Sequence, residues 1–419
     1  MTKLPVAVCG LLLSTLSFVA YASHPAPLPD TITTPNIGYI VNFTDNNPYD
    51  PTNIQVGDDL NYLPTGQAQN MANALDNNNV PSVGNPNGYD AGYAGFGFLA
   101  PNFTGGVNNI FSFDCGPHGG CDSGNAPADR INMPAPTFIQ SSERNIRRVI
   151  GHELFHHTEY SYITFAQWLN WGRTAVEGTA RMMEDKTYSD IDGDATLRYL
   201  SQVNSFLGSP NQDIWQSSYS GALFWNYLTE RYGTVTTEPQ VGVDFMVQFW
   251  TNAQANNASP DTEATVRDTI NDFDVSATLE NTFHDFTIAN YAKDLDVSGL
   301  VDAAKYRYVD ENDGNGISYN PVATAWSGSI PPQKGPTADT VSRWGAKYYE
   351  ATVDIDCAGI LGFLGDGDTA AYSLLAITGT DTVERIYKGV TGHFAKSLIQ
   401  RAGGSEERRV GKECRSRWS

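Results

Sequence analysis

The pentapeptide His152-Glu153-Leu154-Phe155-His156 sets the narrowest limit on how this chain can fold. Ile146, Val149 and Ile150 precede it at helical spacing. On a helix, residues four apart lie one turn apart on the same face, so both imidazoles address one point. Two histidines so placed are a zinc ligand pair, and Glu153, beside the first of them, can reach a metal-bound water. Catalytic zinc takes three protein ligands and leaves a fourth position open. The chain must therefore supply a third donor from elsewhere. Glu177 is the candidate, 21 residues after His156 within 171–185 (WGRTAVEGTARMMED), which leaves room for a turn and a returning helix. Any fold that uses this trio must bring two helices into contact.

HELFH followed by a Glu-Gly-Thr-Ala helix resembles the gluzincin branch of zinc metallopeptidases. More narrowly, HELFHHTEYSY with EGTARMMED is similar to secreted bacterial metallopeptidases of that branch, over residues 147–185. The longer metzincin pattern is absent, since no Gly-x-x-His follows at the required spacing. The resemblance implies an α+β zincin-like catalytic unit with a mixed sheet, an active-site helix and a mainly helical second lobe. It implies His152, His156 and Glu177 as zinc ligands and Glu153 as general base. Gluzincins also add a Tyr or His that steadies the oxyanion. Tyr219, which opens YSGALFWNYLTERYG, is the first choice, although the family spacing from this Tyr to the Gly is one residue longer. His284, in NTFHDFTIANY, is the second.

Each of these residues has a plainer alternative. A lone HExxH can be two exposed histidines on an ordinary helix, Glu177 can face solvent, and Tyr219 or His284 can be core residues. Tyr160 shares the histidine face and could pack beneath the metal. His157 is expected to pack or to support a ligand rather than to ligate. Glu184 and Asp185, two turns beyond Glu177, either orient a ligating histidine or form an acidic surface.

Along the chain the pattern changes twice. Residues 36–45, 109–114 and 130–135 read as strands, 67–75 as a short helix and 76–105 as loops rich in Asn and Gly. From 143 to about 300 the spacing is helical, over 143–160, 172–186, 195–206, 218–232, 241–254, 263–271 and 276–293. Strands return at 345–354, 359–364 and 371–377. The expected division is a catalytic unit over 23–317, with an α/β part (23–160) and a helical part (161–317), then an incomplete β-sandwich-like module over 318–404. The strand at 130–135, just before the active-site helix, is the one expected to align an extended peptide by strand addition. There is no internal repeat, and no Ser/His/Asp triad stands out from spacing.

Both ends look foreign to the working molecule. Lys3, an apolar run from Leu4 and Ala20-Tyr21-Ala22 describe a secretory signal over 1–22. Residues 405–419 (SEERRVGKECRSRWS) resemble a translated sequencing adapter and carry five basic residues. The whole chain has 47 acidic and 26 basic residues and a net charge of −21; without the two ends, 44 and 20 remain and the net is −24. This balance argues against nucleic acid and against an anionic membrane surface. An exported location, outside the cell or in the periplasm, permits a Cys115–Cys121 disulfide across Gly-Pro-His-Gly-Gly; the alternative is a metal knuckle with His118. Cys357 is then left over, its partner expected beyond residue 404. Asp190-Ile191-Asp192-Gly193-Asp194 resembles the start of an oxygen-rich loop for structural Ca2+, without the closing glutamate; 310–315 and 366–368 are weaker versions.

The expectation is a secreted, monomeric, zinc-dependent metallopeptidase acting on protein or peptide substrate, with endo- or exopeptidase action open. The alternative is a non-catalytic surface- or polymer-binding protein on a zincin scaffold.

Overall fold

A computed structural model describes residues 30–34, 38–43, 63–76, 93–106, 108–113, 126–134, 141–187, 198–237, 239–256, 260–309, 318–330, 340–353, 360–363, 370–377, 381–391 and 395–398. The signal segment, the tail, Cys115, His118, Cys121, Cys357 and the three Asp-rich loops lie outside them.

The first part is built on one sheet in the order β1 (Asp30–Thr33), β2 (Ile40–Phe43), β3 (Asn109–Phe113), β4 (Arg130–Pro134). β1 runs antiparallel to β2, and β2, β3 and β4 are mutually parallel, so the sheet is mixed. Parallel neighbours need a crossover. Between β2 and β3 the chain forms helix α1 (Thr65–Asp76), which packs on β2. Val41, Phe43, Ile110, Ile131 and Met133 are buried in the resulting core. β4 is an end strand of this sheet and is the one expected to align substrate.

Helix α2 (Glu143–Tyr162) carries HELFH. It starts where the Ser142 side chain accepts from Asn145 N at 3.2 Å, and Arg147 bonds Glu143 one turn back at 2.7 Å. It stops at extended Ile163, after which Thr164 and Gln167 form a capping box that opens the single-turn helix α3 (Phe165–Trp168). Helix α4 (Arg173–Thr187) returns and packs against α2. Surface helices show one apolar stripe. These two are buried over nearly their whole length, His152, Glu153, His156, Glu177, Arg181 and Glu184 included. Polar groups buried this deeply must find partners inside.

The helical part continues through α5 (Arg198–Gly208), two 3-10 turns η1 (Ile214–Gln216) and η2 (Ser218–Gly221), then α6 (Ala222–Tyr232), α7 (Val243–Ala255), α8 (Thr262–Phe273) and α9 (Leu279–Ala292). Aromatic residues fill it: Trp225 and Trp250 are fully buried and both meet Phe249. The helical stretch expected over 218–232 is split, because its first turn is the tighter η2. Ser218 enters that turn with φ +51°, a left-handed value that costs a non-glycine residue about 1–2 kcal/mol. Such strain persists only where packing holds it. Here η2 packs on α4, where a Cβ on Gly178 would come within 3.0 Å of Trp225 and 3.2 Å of Ser218 O.

The turn between α6 and α7 needs glycine at Gly242, whose φ is +69°. A Cβ there would lie 1.9 Å from Thr229 O. Gly242→Ala is expected to cost more than the about 1–2 kcal/mol of the left-handed conformation alone. A denaturant midpoint equal to that of the parent would contradict this.

Beyond residue 318 the described strands form three two-stranded pairs. β5 (Thr324–Ile330) is parallel to β6 (Tyr348–Val353); β7 (Ile360–Phe363) with β10 (Ala395–Leu398), and β8 (Ala370–Ile377) with β9 (Val383–Thr391), are antiparallel. Tyr319 and Val322 belong to the main core, and Trp344 packs against it. Backbone bonds join Ala323 N to Leu207 O at 2.8 Å and Ala346 N to Pro210 O at 2.9 Å. The start of the expected β module is thus part of the helical core, because its aromatic residues complete that core.

Candidate metal centre

The geometry of α2 and α4 brings the expected trio together. Ligand atoms of His152, His156 and Glu177 all lie within 4.8 Å of one another. One carboxylate oxygen, Glu177 Oε2, is 3.4 Å from His152 Nε2 and 3.6 Å from His156 Nε2. Two ligands on a tetrahedral zinc, each about 2.0–2.1 Å from it, sit about 3.3 Å apart. The donor set fits zinc, and the two Glu177–histidine separations lie near that spacing.

Behind each imidazole stands a second carboxylate. His156 Nδ1 is 2.9 Å from Glu159 Oε2. Glu159 also accepts from Trp168 Nε1 at 2.6 Å and from Thr179 Oγ1 at 3.0 Å, so its orientation is set by α3 and α4. His152 Nδ1 is 2.9 Å from Glu184 Oε1, although the oxygen stands out of line with the ring N–H and the contact is one of charge and proximity. Glu184 is held in turn by Arg181 Nη1 at 2.6 and 2.8 Å, with Arg148 Nη1 at 3.6 Å. Carboxylates at Nδ1 keep the proton on that nitrogen and turn the Nε2 lone pair outward.

Electrostatics follow from this burial. Burial pushes the Glu177 carboxyl up, but the adjacent His152 and His156 side chains outweigh it and hold Glu177 well below the usual carboxylate range. Burial likewise opposes the charged form of Glu184, yet Arg181 and then Arg148 bring it down to about 2. Glu153 goes the other way: burial raises it above its ordinary value, with His152 and His156 only partly offsetting. A carboxylate raised toward neutrality is a better proton acceptor at working pH.

Tyr219 reaches the cluster from η2. Its ring centre is 5.7 Å from that of His152, and Arg181 Cζ stands 5.0 Å from the same tyrosine ring. Burial and the neighbouring Glu177 charge raise the phenol above its ordinary value and keep it protonated. His284, the second candidate, is elsewhere engaged: its Nε2 meets Ser373 Oγ of β8 at 2.5 Å. Tyr160 donates to Ala126 O at 2.7 Å and packs edge-on to His157 and Trp168.

His157 is a packing residue. It stacks on Phe103 with ring centres 3.7 Å apart, between the carbonyls of Asn102 and Arg130, each 3.0 Å from a ring nitrogen. Burial lowers its pKa to about 4, so the neutral ring donates to one carbonyl at a time. It ties α2 to the end strand β4.

Of the two acids expected behind a ligand, Glu184 takes the role. Glu159 was not expected there, although its position three residues after His156 places it on the same helical face. Trp168 and Arg181 carried no signal in the sequence, because their parts depend on contacts between helices. Glu159→Gln keeps the shape but removes the charge behind His156, and is expected to weaken zinc affinity about 10- to 100-fold. Competition with a chromophoric chelator measures it; unchanged affinity would remove Glu159 from the site.

No family model matches the chain, and neither a curated protein nor a solved structure matches it. Among the described residues no helix is long and apolar enough to cross a membrane.

Proposed function

We propose that the protein is a zinc-dependent metallopeptidase with Glu153 as general base. The observation that carries the reading is the buried arrangement of both HELFH imidazoles. Each directs Nε2 toward the same Glu177 oxygen and has a carboxylate at Nδ1. His152, His156 and Glu177 would hold the zinc, which when bound would supply Lewis acidity at this site. Glu153 accepts the proton of the attacking water on its carboxylate and passes it to the leaving amine. The Tyr219 hydroxyl donates to the oxygen of the carbonyl under attack, where charge develops. An extended peptide aligns on the end strand β4, which precedes α2 in the chain.

The test is metal analysis together with peptide cleavage by the full chain. One zinc per chain is expected, with casein hydrolysis that 1,10-phenanthroline stops and added zinc restores. Zinc taken up one-to-one by a protein that leaves casein and short peptides intact would instead favour the non-catalytic binding protein. Hydrolysis indifferent to the chelator would overturn the metal reading.

A further inference from the structure

Next to the clustered side chains lies a small cleft, partly open to solvent, lined by Arg148, Val149, His152, Glu153, Arg181 and Tyr219. Two guanidiniums in its wall are unusual for a chain of net charge −21. Both are buried, at 3% exposure each. Glu184 contacts both, one carboxylate for two cations. Arg181 uses only Nη1 on Glu184, and its Nε is buried with no hydrogen-bond partner. A buried unsatisfied donor is costly, more so on a charged group, unless something fills it. The planar guanidinium fork matches a carboxylate.

We propose that this cleft binds a carboxylate of the substrate on the leaving-group side of the scissile bond, with Arg181 as the anchor. The side follows from Glu153, which lines the same cleft and protonates the leaving amine; in this respect the inference rests on the metallopeptidase reading. Two sources share the chemistry: the terminal carboxylate of a peptide, which makes the enzyme an exopeptidase, or an Asp or Glu side chain just after the scissile bond, which makes it a selective endopeptidase. The second guanidinium, Arg148, adds to the field but is tied to Asn145 Oδ1 at 3.0 and 3.3 Å.

The test uses zinc-loaded Glu153→Gln protein, so that probes bind without being cleaved. Calorimetry compares Ac-Ala-Ala-Phe-Leu as the free acid, the same peptide as its C-terminal amide, and Ac-Ala-Ala-Phe-Glu amide. At least one acid is expected to bind about 10- to 100-fold more tightly than the Leu amide, the range of a charge-assisted bond. Preference for the free acid identifies the chain terminus, and preference for the Glu amide identifies the side chain. The preference should vanish in Arg181→Met and partly return in Arg181→Lys. Equal binding of all three probes, binding of none, or a preference that survives Arg181→Met overturns the proposal. The comparison of probes needs no Arg181 variant, so a misfolded variant does not remove the test. Casein cleavage by the parent protein with no carboxylate preference would sink this inference alone. Arg181-dependent carboxylate binding by a parent protein that cleaves nothing would sink the hydrolytic reading alone.

Discussion

Glu153→Gln is expected to abolish peptide hydrolysis while leaving zinc in place. The substitution is close to isosteric, and Glu153 is not one of the three clustered ligand groups. The neighbouring ligands keep their supports, because Glu159 and Glu184 stand on the far side of each imidazole. What disappears is a buried carboxylate able to accept a proton, which an amide cannot do. General-base groups of this kind contribute about 10²- to 10⁴-fold to rate. A fall of that size in kcat, with zinc content unchanged, is the result to look for. Equal activity in parent and variant would remove Glu153 from the chemistry. Loss of zinc together with activity would show that the side chain holds the site together instead.

Glu177→Ala should have the second large effect, and it falls on the metal. Of the three clustered candidate ligands Glu177 alone comes from outside α2, and its Oε2 is the atom both Nε2 groups approach. Removing it leaves the two imidazoles without the third, charged donor of the trio. Zinc affinity is expected to drop well beyond the about 100-fold seen when a supporting residue is lost. The consequence is visible without any activity assay. A ligand at about 1,000 times its Kd stabilises the folded state by about 4 kcal/mol, so parent protein should melt higher when zinc is added. Glu177→Ala should show almost no such rise. A variant whose Tm still rises as much as the parent's would exclude Glu177 from the cluster. Glu177→Gln separates charge from shape, since its amide oxygen occupies the same place as a weaker donor.

Much of the centre was legible in the sequence, and the reason is local. Four-residue spacing on a helix puts His152 and His156 on one face whatever surrounds them. Ser142, the apolar run after it and Thr164 mark both ends of α2. Glu184 was legible as one of two acids beyond Glu177. Its neighbour Asp185 points to a different angle of the helix, since adjacent residues do not share a face. The split of 218–232 into η2 and α6 was not legible, because it arises from α4 at Gly178 and from Trp225 in α6 itself. The core role of Tyr319, Val322 and Trp344 was hidden for the same reason. Tyr319, Val322 and Trp344 read as parts of a strand module until their contacts with α5 and the 209–214 turn are seen.

By itself the sequence determined the helix that carries HELFH, the pairing of its histidines, the presence of a returning helix with Glu177, and an acidic charge balance. Those follow from backbone periodicity and from charge, which need no knowledge of distant neighbours. The tertiary structure alone decided that Glu159 and not only Glu184 stands behind a histidine, that Tyr219 and not His284 reaches the cluster, and that Arg181 lines the cleft beside Glu153. Each of these depends on which helices touch. That is set by how buried faces pack, over separations of 20 to 89 residues that no local pattern records.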